Sequence, residues 1–181
     1  MSEEKKADAR IEQIITAIQD KDKEALESLF SDKSLAESID FVGGVEYLFD
    51  FFNGTVESWE RIALSFGESI DHGERIQKLR SWYTVNTDKE KYAFLLIEFT
   101  LDTKNPDNTG LYTLRVIKDE DKDMLFPSWQ KIEVAGIYKP NLSSSILPFN
   151  RLLRAAVDIT SFCFSGLQRI AYKGFRYISL P

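Results

Sequence analysis

Two carboxylates stand where acid–base chemistry could be done. Glu98 alternates with Phe94, Leu96 and Thr100 on a largely apolar run, and burial on such a face raises a carboxyl pKa toward the range of a general acid or base. Asp40 could supply a second carboxylate from a helix. Each also has an ordinary reading, Glu98 as the ion-pair partner of Arg80 or Arg115 on neighbouring strands and Asp40 as part of a solvated helix face. A lone carboxylate lacks the mutual geometry that catalysis demands. His72 is the only histidine, so a nucleophile–base–orienter triad has to run through it, yet Asp71-His72-Gly73 spells an exposed turn. With no second histidine and no cysteine nearby, a transition-metal site is not expected. The run Asp119-Glu120-Asp121-Lys122-Asp123 lacks the central glycine and distal glutamate of a calcium loop, so no metal or cofactor is predicted. Its acids Asp119, Glu120, Asp121 and Asp123 are instead candidates for contact with a basic protein, with Asp71 and Glu74 as a second cluster. The aromatics Tyr47, Trp82, Tyr92 and Tyr112 are candidates for lining a small apolar ligand's pocket, although strand aromatics are also ordinary sheet-face packing.

The elements that must position these residues change character along the chain. Up to about Phe52 apolar residues recur at helical spacing. Ile11, Ile14, Ile15 and Ile18 form one stripe; Asp22 caps a short second helix with Ala25, Leu26, Leu29 and Phe30 on its apolar side; and Ser34 with Glu37 reads as a capping box opening a third helix through Leu35, Ile39, Val42, Tyr47, Leu48 and Phe51. Gly43-Gly44 inside it predicts a kink or close packing, and Asn53-Gly54 ends it. Strand-like runs follow at Val56 to Ile70, Arg75 to Val85, Lys91 to Leu101, Leu111 to Ile117 and Lys131 to Tyr138. The third is apolar on both faces and predicts a central strand covered on both sides. Helices first and a strand meander afterwards is the order of an α+β domain. Residues 1–140 are expected to form that domain, and residues 141–181 a linker and a basic amphipathic C-terminal helix.

Charge divides the same way. Residues 1–140 carry 18 basic and 28 acidic side chains, whereas residues 141–181 carry five basic and one acidic. An acidic body argues against nucleic acid, and the tail is too interrupted by charge to span a membrane. Cys163, the single cysteine, demands no oxidising compartment. The opening Met1-Ser2-Glu3-Glu4-Lys5-Lys6 has no apolar run, so the cytoplasm is the expected compartment, with a cell-surface lipoprotein as the alternative if a leader was removed.

The three N-terminal helices, the long bent first strand and the closing Trp129-Gln130-Lys131-Ile132-Glu133-Val134-Ala135-Gly136-Ile137-Tyr138-Lys139-Pro140 resemble the nuclear transport factor 2-like (cystatin-like) superfamily. Residues 7–140, through Ile39-Asp40-Phe41 and Thr109-Gly110-Leu111-Tyr112 as well, resemble a family of uncharacterised small proteins from Gram-positive bacteria, many of them lipoproteins. The resemblance implies a cone in which a curved, mostly antiparallel sheet wraps the helices around a pocket. It implies no single activity, because that superfold hosts enzymes, transport factors and immunity proteins. The expected function is non-catalytic binding, most specifically of a basic protein through the acidic surface in the manner of an immunity protein. The alternative is a pocket for a small apolar ligand or an isomerase- or dehydratase-like enzyme using Glu98. A homodimer is a further expected form.

Overall fold

The computed structural model describes residues 1–122 and 133–139. All of these belong to one compact unit, Met1–Lys139; the second, Pro140–Pro181, where the amphipathic helix is expected, lies outside the described residues. Helix α1 (Glu3–Gln19) is capped by the Ser2 hydroxyl and buries Ile11, Ile14, Ile15 and Ile18 together. Asp22 caps α2 (Lys23–Glu27) by accepting the Ala25 amide at 2.9 Å.

The expected third helix is two helices. Helix α3 (Asp32–Glu37) is capped by Ser31, not Ser34, and α4 (Phe41–Phe51) by Asp40. Ser34 lies inside α3 with its hydroxyl engaged elsewhere: it donates to the Tyr112 carbonyl at 2.7 Å and accepts the Gly136 amide at 2.9 Å. Ser38 leaves helical geometry (ψ 127°), which turns Ile39 fully into solvent and off the apolar stripe. Gly43-Gly44 falls in the first turn of α4. A Cβ on Gly43 would strike the capping carboxylate at 2.3 Å, and one on Gly44 would meet Ile137 at 3.0 Å, so close packing is why glycines stand there.

Five strands form an open sheet in chain order: β1 (Val56–Asp71), β2 (Glu74–Thr87), β3 (Lys91–Asp102), β4 (Gly110–Lys118) and β5 (Gly136–Ile137). The first four are an antiparallel meander; β5 pairs parallel to β4 and, within the described residues, is two residues long where eight were expected. His72 (φ 50°) and Gly73 (φ 89°) make the tight β1–β2 turn, whose left-handed pair suits the twist of flanking strands. Register shifts in β1, in β2 against β3 and in β3 against β4 are bulges that curve the sheet.

Register explains the core. Rows across the sheet run Leu64–Ser81–Leu96–Leu114 and Arg61–Tyr83–Phe94–Val116. Their buried members pack with the α1 isoleucines, Val45 and Leu48 in one cluster. On the other face Ala93, Leu95 and Ile117 form a second cluster with Trp82. Strand β3 is thus buried on both faces from Tyr92 to Ile97. The β3–β4 connection is organised by Asp102, which accepts from the Asn105 amide at 2.8 Å, the Lys104 amide at 3.1 Å and Asn108 Nδ2 at 3.0 Å. Burial alone pushes its pKa up, but Asn108 and the two amides outweigh it, so the carboxyl sits below its ordinary value.

Two outcomes are expected. Ser34→Ala removes the partner of two buried backbone groups and should lower unfolding stability by about 1–3 kcal/mol in denaturant titration. Asp102 has a lower pKa folded than unfolded, so its contribution is present above the unfolded value of about 3.9 and is lost as pH falls through the folded value. Chemical unfolding across acid pH should therefore find the wild-type advantage over Asp102→Asn shrinking as pH falls; a constant difference would refute this linkage.

Candidate functional site

Glu98 lies on the helix-bearing face between the core residues Leu79 and Leu111, in the register Phe66–Leu79–Glu98–Leu111. Its partner is neither Arg80 nor Arg115. Those residues pair in register with Ile97 and Leu95 and so point to the opposite face. Arg10 on α1 reaches it instead, with Nε at 3.0 Å and Nη2 at 2.6 Å from Oε1, while Nη1 donates to Gln13 at 3.2 Å. The pair stands at the wall of a cleft of about 440 Å³ between the first half of α1, the Ser28–Phe30 segment and the adjoining ends of β3 and β4. Thr100 also lines it, with a buried hydroxyl that has no hydrogen-bond partner.

Asp40 does not share that cleft. It caps α4 through the Gly43 amide and pairs with Lys139, and the Lys139 hydrogen bond, then the amide, hold its pKa below the ordinary value. The four candidate aromatics occupy three places, with Tyr47 and Tyr92 both against Phe51. Tyr92 is fully buried among the helices, its hydroxyl accepting the Asn53 amide at 2.8 Å and donating to the Phe51 carbonyl at 3.2 Å, which finishes the C-terminus of α4. Tyr47 stacks on Phe51 at 5.3 Å. Trp82 belongs to the opposite sheet face. Tyr112 donates to Glu37 at 2.6 Å, and that bond, with burial, pushes its pKa up to about 12. His72 is 94% exposed at the hairpin tip. No group of three or more His, Cys, Asp or Glu positioned for a metal occurs among the described residues.

The acidic run is a 3₁₀ turn, Asp119–Asp121, in which Asp119 is balanced by Lys122 at 3.1 Å and Lys91 at 3.9 Å; Asp123 lies outside the described residues. A less compensated acidic surface lies between α1 and α2. There a groove of about 510 Å³ has a floor of Ala9, Ala17, Ala25 and Leu29 and a rim that includes Glu12, Asp20 and Asp22. No Lys or Arg among the described residues lines it. Glu12 and Asp20 are exposed on the side of α1 away from the isoleucines, a spacing visible in the sequence, whereas Arg10 is separated from Glu98 by 88 positions and no local pattern announces it.

Glu98 and Arg10 are only 12% and 21% exposed at their side chains. Neutralising one partner therefore leaves a poorly hydrated charge, and Glu98→Gln should cost about 1–3 kcal/mol in denaturant melts. A stabilised Glu98→Gln variant would instead mark Glu98 as a strained functional group.

Comparison with curated proteins finds no match. A family profile described as a domain of unknown function (DUF5104) matches residues 13–119, which take in α1 from Gln13, the other three helices, Glu98 and the first four strands. This chain belongs to the DUF5104 family.

Proposed function

We propose that the protein is a non-catalytic, protein-binding domain of nuclear transport factor 2-like layout that meets a basic partner through its acidic surface. The observation that carries this reading is the filled interior. Where a ligand-binding cone would be hollow, Tyr83, Tyr92, Phe94, Leu96 and the α1 isoleucines close on one another, and the carboxylates beside them are taken, Glu98 by Arg10 and Asp8 by Arg61. Acidity lies outside, with Glu12, Asp20 and Asp22 rimming a groove that no described Lys or Arg lines. Such a surface steers a cationic partner and sets its association rate. An immunity-type role, in which a basic protein is bound and blocked, fits the same surface. The cytoplasm is the compartment proposed with it. The cleft at Glu98 favours a second reading, a site for a small ligand.

Titration of the full chain with a lysine-rich helical peptide tests the first reading. Binding should weaken steeply between low and physiological salt, because exposed charges are screened beyond about 10 Å at 0.1 M. Replacing Glu12 and Asp20 by Lys should weaken it by about tenfold or more and flatten the salt dependence, whereas reversing Asp119, Asp121 and Asp123 should do less. Equal losses in both variants would mean diffuse attraction to net charge and refute the groove. No binding at low salt would refute the reading as a whole.

A further inference from the structure

Strand β1 is sixteen residues long and stands at the edge of the sheet. β2 covers one side of it from Val56 to Asp71, and no described strand covers the other. A free edge of this length is a template for another strand, and folded proteins ordinarily blunt such edges with lysine, proline or a short strand. β1 contains neither lysine nor proline. Its bulges lie in the first half, near Glu57 and Ile62. Beyond them every residue from Ser65 to Asp71 is exposed.

Among the described residues seven large apolar side chains are exposed, and three of them lie on this strand: Ile62 at 51%, Phe66 at 43% and Ile70 at 65%. Phe66 and Ile70, four apart beyond the bulge, share one face of the strand, and Ile62 stands at the bulge itself. An apolar row beside an unpaired backbone ladder fits the edge of another β-strand, and the distribution of side chains selects which strand.

We propose that two copies of this chain pair antiparallel through β1, about a two-fold axis at Phe66, and join their five-stranded sheets into one of ten. In that register Phe66 lies opposite the partner's Phe66 and Leu64 opposite the partner's Glu68, and the partner's Ile70 reaches the level of the bulge at Ile62. The exposed apolar residues thus become one another's neighbours. Ser65 meets the partner's Gly67, where open space surrounds the glycine. Arg61 and the partner's Asp71 carry opposite charge. The neighbouring in-phase registers are worse. An axis at Leu64 brings the Ile62 bulges of both copies to within two residues of the axis, where they break the ladder, and an axis at Glu68 sets that carboxylate against its own copy, where like charges directly opposite are destabilising. A two-fold pairing of one patch with itself also closes the assembly at two copies.

The dimer brings two acidic bodies together, so salt should strengthen it, the reverse of the trend expected for a basic partner. The two proposals therefore fail separately. Sedimentation of the full chain across the micromolar range should find a dimer whose affinity rises with salt. Phe66→Lys with Ile70→Lys alters exposed side chains only; it should keep the wild-type circular dichroism while its dimer dissociation constant rises by about tenfold or more. Phe66→Cys in a Cys163→Ser background should form an intermolecular disulfide on mild oxidation, because facing residues at such an axis lie about 4.5–5.5 Å apart at Cα, and Ser58→Cys should not. A wild-type chain that stays monomeric, a foreign strand peptide that binds β1 while the chain is monomeric, or a dimer untouched by the double substitution would each overturn the proposal.

Discussion

The fold depends on one contact surface, the isoleucine stripe of α1 laid against the register rows of β2, β3 and β4. Ile11 and Ile14 have no exposed surface, and Ile15 and Ile18 retain 7% and 3%. Burying each stabilises by about 1.5–3 kcal/mol, so four of them contribute an amount comparable to the whole net stability of a small domain, about 5–15 kcal/mol. The other features of the helix follow from its being pinned there. With the isoleucines down, Arg10 is carried to Glu98 and Asp8 to Arg61 at 2.7 Å and the Tyr83 hydroxyl at 3.1 Å. The opposite side of α1 is left to form the acidic groove with α2.

The two faces of the sheet have been given opposite electrostatic characters. On the face away from the helices, Lys78 and Arg80 share Glu133, and the Tyr138 ring covers the Arg115 guanidinium at 4.2 Å. Arg115 is 1% exposed, and among the described residues its Nε and Nη2 have no hydrogen-bond partner, so the Tyr138 ring is what compensates its charge there. Burial pushes the pKa of that guanidinium down from its ordinary value. Acid without a described Lys or Arg beside it, in contrast, lines the groove between α1 and α2, at Glu12, Asp20 and Asp22. A net charge of -6 thus conceals a molecule with separated charge, and this separation makes a directional encounter with a cationic surface physically reasonable.

Periodicity made most of this legible. The isoleucine stripe, the Asp22 cap, the His72 turn and the doubly buried β3 were all written in spacing two or three-to-four residues apart, which local sequence can carry. The helix boundaries after Phe30 were not, because Ser31, Ser34, Ser38 and Asp40 all look like caps. What decides among them is tertiary: Ser34 is taken by Tyr112 and Gly136 on the sheet, leaving Ser31 and Asp40 as the caps. Glu98 was visible as a carboxylate on an apolar face, but its partner was sought on adjacent strands. Side-chain alternation alone excludes Arg80 and Arg115, which face the other way, and only the docking of α1 supplies Arg10.

Gly110 carries φ 134°, and a Cβ there would come within 2.9 Å of the Ser31 amide. Beside it Leu111 is bridged to Phe30, with the Ser31 amide donating to the Leu111 carbonyl at 2.9 Å. The helices are thus stitched to a strand made some eighty residues later, and the rows that cover the isoleucines are not complete until β4 exists. During synthesis, at roughly 5–20 residues per second, the ribosome therefore displays an apolar helix for several seconds before its cover is made. For that interval the isoleucine stripe has no cover, and the speed at which β2 to β4 are translated sets how long it stays open to misassociation.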